Sequence, residues 1–131
     1  MNKQNKKFDD LVDLMLSQAK EFLKEMGEFF PYGSALLANK ELSTIGIYND
    51  VDNRFNTNKA IEIFTNHIKE GINKGEILVG AIGIDGFIKE NNKNVVMIKV
   101  TDDGIKWHSR NYSYTIVDNI VQIEINDFIN N

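Results

Sequence analysis

The sequence predicts an α+β fold: two helices packed on one mainly antiparallel sheet of five to six strands, in the order α-β-β-α-β-β-β-β. Two long stretches carry apolar residues at three- and four-residue spacing, the period of a helix with one buried stripe. From Glu76 onward the period falls to two and short polar turns separate the runs, as in a meander of antiparallel strands. No linker, internal repeat or low-complexity tract divides the chain. It therefore reads as a flexible basic tail, residues 1–7, followed by a single domain, residues 8–131.

The first helical stripe is Phe8, Leu11, Val12, Met15, Ala19, Phe22, Leu23 and Met26, and Gly27 ends it. Asp9, Asp10 and Asp13 fall in its expected first turns, where the helix dipole favours negative charge. The single proline, Pro31, with Gly33 close behind, marks a bend entering the edge of a strand, because proline donates no ladder hydrogen bond. A strand over residues 34–38, a turn at Asn39 and Lys40 and a strand over residues 42–48 follow. The polar stretch 49–58 is a loop. It leads to a helix over residues 57–74, capped by Asn56 or Thr57, with the stripe Ala60, Ile61, Phe64, Ile68 and Ile72.

Residues 77–84 are apolar on both faces, as a central strand buried on both sides requires. Gly80 and Gly83 inside that run imply close packing from above, or a bulge. The turn 89–94 leads to a strand over 95–100, and Asp102-Asp103-Gly104 is a hairpin signal into Ile105. The turn at Asp118 and Asn119 leads to a last strand over 120–126. Both helices are expected to cover one face of the sheet, giving two layers.

Composition narrows the function classes. With 42% hydrophobic and 26% charged residues the chain is globular, and without cysteine it has no disulfide, thiolate metal site or Cys nucleophile. The longest apolar run, 77–84, is too short to span a bilayer, and no apolar core follows the N-terminal lysines. No membrane association, no secretory signal and a cytoplasmic location are expected. Setting aside Lys3, Lys6 and Lys7 leaves 12 of the 15 basic residues against 19 acidic ones, a net charge of −7 for the domain. Phosphate backbones need Lys and Arg clusters, so nucleic acid is not an expected partner; an acidic body suits a basic one.

Residues 107–114 hold the only Trp, one of two His, one of two Arg and two of four Tyr, the side-chain types that dominate interface energetics. The candidate binding residues are His108, Arg110, Tyr112 and Tyr114, joined by Tyr32 at the Pro31 bend. If Ile105 and Trp107 share a strand face, positions 109, 111 and 113 on that face are Ser, Asn and Ser, and the apolar phase has moved to Tyr112, Tyr114 and Ile116. Such a shift predicts a bulge or turn at residues 109–111, turning His108 and Arg110 outward and Trp107 toward the core.

No catalytic pattern accompanies the cluster. His108 beside Asp102 or Asp103 is an acid-oriented imidazole without a placed nucleophile, and Ser109 and Ser113 lack a nucleophile-elbow pattern. His67 and His108 lack metal-ligand spacing, and Asp50-Val-Asp52 lacks the glycine and distal glutamate of a calcium loop. No metal and no cofactor are expected.

The stretch Glu21-Phe-Leu-Lys-Glu-Met-Gly-Glu-Phe-Phe-Pro-Tyr-Gly-Ser-Ala-Leu36 and the strand-Asp-Gly-strand unit over residues 96–114 resemble a group of small uncharacterised bacterial α+β proteins. That resemblance implies the fold and a bacterial origin, and no activity. The element order is also similar to roadblock-like and profilin-like domains, although residues 120–126 read as strand where those domains end in a helix. The expected function is a non-enzymatic protein-interaction module, for example an immunity-type protein that sequesters a protein partner. The alternatives are a small-ligand sensor or enzyme with a pocket near Tyr32, Tyr48 and His108, and a homodimer through an exposed sheet edge.

Overall fold

Helix α1 (Lys3–Met26) buries Phe8, Leu11, Val12, Met15, Leu16, Ala19 and Leu23, the stripe its period demands. The computed structural model that places it describes residues 3–47, 57–124 and 129–130. The helix includes residues 3–7 of the stretch expected as a tail; no Gly or Pro interrupts the run before Gly27. Asp9 therefore sits beyond the first turn, out of reach of the dipole, and its carboxylate meets Arg110 instead.

Strands β1 (Tyr32–Leu37) and β2 (Leu42–Ile47) form a hairpin whose turn holds Lys40 at φ 74°. Helix α2 (Thr57–Asn73) follows and ends in a Schellman motif: Gly75 N–H donates to the Ile72 carbonyl and Glu76 N–H to the Gly71 carbonyl. Gly75 adopts φ 76°, a conformation that costs an L-side chain roughly 1 kcal/mol or more. Glu70 and Lys74, one turn apart on the exposed side of α2, pair at 2.9 Å.

Strands β3 (Ile77–Ile88), β4 (Lys93–Thr101), β5 (His108–Val117) and β6 (Ile120–Ile123) complete a six-strand path in the order β2-β1-β3-β4-β5-β6, every neighbour antiparallel. The two-residue β7 (Ile129–Asn130) also pairs with β5. Asp118 and Asn119, at φ 52° and 65°, make the two-residue turn between β5 and β6. The α+β class and the element order are those expected; Tyr48 and residues 125–126, assigned to strands from the sequence, lie outside the described residues.

The layering differs from the expectation. Val79 and Ala81 of β3 belong to the cluster under α1, whereas Ile82 and Ile84 pack with Phe64 and Ile68 of α2. Successive side chains of a strand point to opposite faces, so the helices cover opposite faces and the sheet lies between them. A central strand apolar on both sides requires that arrangement, because a single covering layer would leave one row in water. The glycines within β3 mark the close approaches: a Cβ at Gly80 would stand 2.3 Å from Ile68 and one at Gly83 2.3 Å from the Tyr32 ring. β3 pairs with β4 without a bulge.

Candidate partner-docking surface

The turn between β4 and β5 decides where the recognition residues point. Thr101 Oγ1 donates to the Lys106 carbonyl at 2.7 Å and accepts from Gly104 N–H at 2.9 Å. Asp103 Oδ1 accepts from the Ile105 and Lys106 amides, both at 2.8 Å, and these bonds hold its carboxyl below the usual range. Residues 102–107 are thus a capped turn, with Ile105 at its tip and 80% exposed. β5 starts only at His108 and runs in unbroken register with β4, from Val100↔His108 to Val95↔Ser113.

The bulge predicted at residues 109–111 does not form. Alternation is intact once the turn is excluded; counting from Ile105 treated a turn residue as part of the strand. Trp107 packs against the cluster under α2, on the side shared by Ser109, Asn111 and Ser113. That side of β5 is polar because α2 packs on β3 and β1 instead. His108, Arg110, Tyr112 and Tyr114 all face α1.

Three of these four make up a seam that docks the helix. The His108 ring lies 5.4 Å from that of Phe8, while Asp103 is committed to its own turn. Arg110 Nη1 donates to Asp9 at 3.1 Å and hydrogen-bonds Tyr112, which is 3% exposed. A partly exposed pair of this kind contributes roughly 0.2–1 kcal/mol. Tyr32 lies inside the core at 0% exposure, edge-on to Phe22 and Phe29, and its hydroxyl donates to the Met15 carbonyl. It offers no surface to a ligand or partner. The pocket expected near Tyr32, Tyr48 and His108 finds Tyr32 closed in by packing, and Tyr48 lies outside the described residues.

Tyr114 does something different. α1 ends at Met26, and beside the residues that follow it Asp85 and Phe87 of β3, Asn94 of β4 and Tyr114 and Ile116 of β5 lie together, with Phe87 and Ile116 exposed. A depression of about 480 Å³ forms there, lined by Glu28, Asp85, Phe87, Asn94, Tyr114 and Ile116. Tyr114 Oη donates to Asp85 Oδ1 at 2.8 Å, and Phe29 N–H donates to Asp85 Oδ2 at 3.2 Å. These bonds tie β5, β3 and the segment after α1 to one carboxylate. Phe87 is 53% and Ile116 36% exposed at the rim.

Burial raises the Asp85 carboxyl above its usual range; the two hydrogen bonds oppose that rise, and the Glu28 charge adds to it. Burial and the neighbouring Asp85 likewise push the Tyr114 hydroxyl up. A raised folded-state value means that Asp85 contributes most stability when protonated and loses that contribution as pH rises through its folded value. Asp85→Asn removes this dependence. The stability of the wild type relative to this variant is expected to increase as pH falls from neutral toward the ordinary carboxylate value of about 4. Urea midpoints of both proteins at the two pH values test this, and a constant difference would contradict it.

Of the residues lining this depression the sequence singles out Tyr114, and not Asp85, Glu28, Phe87 or Ile116. One local signal was present: Asp85 interrupts an apolar central strand, where an acid is otherwise costly. Among the described residues no group of three His, Asp or Glu side chains is placed to hold a metal ion, and no helix is long and apolar enough to cross a membrane. Comparison with protein families, curated proteins and solved structures finds no match for this chain.

Proposed function

We propose that this chain is a protein-interaction module whose partner docks on the sheet beside the end of α1, at Phe87, Ile116 and the Asp85–Tyr114 pair. The observation that carries the reading is the arrangement itself, two exposed apolar side chains beside a hydrogen-bonded carboxylate on one face of the sheet. Interfaces draw most of their energy from a few such apolar anchors, with polar groups fixing the register. The depression is broad and open, a form suited to side chains of a partner. A small ligand binds best where most of its surface is enclosed.

The test uses the intact chain as bait in a lysate of its source organism, beside Phe87→Asp, Ile116→Asp and Ile105→Asp. Ile105 is the control, being apolar surface even more exposed than Phe87 and Ile116, at the opposite end of β4 and β5. A captured protein is identified, purified and titrated against each variant. The two rim variants are expected to weaken its affinity at least about tenfold, the equivalent of 1.4 kcal/mol, and Ile105→Asp to leave it unchanged. Equal affinity for all four baits would refute the assignment of the surface.

A further inference from the structure

We infer that the segment this surface takes is basic, presenting an arginine or lysine to the Asp85 and Glu28 carboxylates while an adjacent apolar side chain covers Phe87 and Ile116. The inference rests on the docking reading above and specifies the partner's chemistry. Asp85 lines the depression, and each of its oxygens already accepts one hydrogen bond from a neutral donor. A carboxylate has about four acceptor sites, so capacity remains. Neither Asp85 nor Glu28 takes part in the Lys74–Glu70 or the Arg110–Asp9 ion pair.

The two acids are close enough for the Glu28 charge to disfavour ionisation of Asp85, where burial already does so. A neutral apolar partner would deepen that burial and leave the carboxylates without a compensating charge, which disfavours its docking. An acidic partner would add repulsion. A cation at the edge of the apolar contact relieves both effects at once, so the surface selects for it by excluding the alternatives. The net charge of −4, from 15 basic and 19 acidic residues, also draws basic segments toward it over longer distances. Arginine fits particularly well, because its planar guanidinium bonds carboxylate and stacks on aromatic faces such as Phe87 and Tyr114.

The probe is a short amidated peptide in which arginine alternates with leucine and phenylalanine, together with a copy carrying glutamate for each arginine. Both are titrated into the full chain while backbone amide resonances are followed. The arginine peptide is expected to shift the amides of Gly27, Glu28, Asp85, Gly86, Phe87, Asn94, Tyr114 and Ile116, and to weaken as salt is raised. The double variant Asp85→Asn/Glu28→Gln is expected to bind it about tenfold more weakly. The side-chain amide that this variant carries at position 85 keeps an acceptor oxygen, and unchanged amide dispersion elsewhere certifies the fold. Equal binding of the glutamate peptide, an undiminished double variant, or arginine-peptide shifts confined to other residues would each overturn the basic-partner chemistry. The docking surface itself stands or falls separately, on the Phe87→Asp and Ile116→Asp baits.

Discussion

Gly83→Ala is expected to destabilise the protein by about 2–3 kcal/mol, the upper range for overpacking a well-filled core. The added methyl would lie 2.3 Å from Tyr32 Cε1 and 2.4 Å from Cζ. Tyr32 cannot turn aside: Phe22 and Phe29 hold its ring at 5.1 and 5.5 Å, and its hydroxyl is bonded to Met15 in α1. Since Tyr32 and Gly83 are also direct partners across β1 and β3, the strain falls on the backbone pairing itself. Gly86→Ala, in the same strand, is the control, because its Cβ would come no nearer than 3.3 Å to any neighbour, a Val95 methyl. Urea unfolding of the two variants should separate them clearly, and similar losses at both positions would contradict this account of the core.

The second large effect has the opposite sign. Asn111 is fully buried in β5, and among the described residues neither its Nδ2 nor its Oδ1 has a hydrogen-bond partner. An unsatisfied buried amide costs about 1–3 kcal/mol, and leucine has a similar shape without the polar atoms. Asn111→Leu is therefore expected to stabilise the protein by an amount in that range. The observable is a higher urea midpoint at unchanged m-value, which separates a change in stability from one in the surface exposed on unfolding. A lower midpoint would mean that the amide is held by a partner the leucine cannot replace. At a position whose neighbours on the same face are Ser109 and Ser113, neither composition nor periodicity distinguishes a satisfied amide from an unsatisfied one.

Tyr112 and Tyr114 show how far the candidate site could be read in advance. They stand two residues apart on one face of one strand, with the same side-chain chemistry. Tyr112 completes the helix-docking seam with Arg110 and Asp9, whereas Tyr114, one pleat further on, passes the end of α1 and reaches Asp85. The difference is where a helix distant in sequence happens to stop. The concentration of rare residues over 107–114 was real, but most of it serves cohesion, because large amphipathic side chains are as useful for docking a helix as for docking a partner.

By itself the sequence determined what depends on neighbours along the chain: the two amphipathic stripes, the glycine that closes the first helix, the paired strands and their turns, and the close approach over Gly80 and Gly83. Those follow from backbone geometry and side-chain period, which act over a few residues. Only the tertiary structure decided that the helices take opposite faces of the sheet, that residues 102–107 form a capped turn ahead of β5, and that Asp85, Glu28, Phe87, Tyr114 and Ile116 share one depression. Each depends on which surfaces meet across the sheet, and the matching of buried areas between distant segments sets that, not the local period.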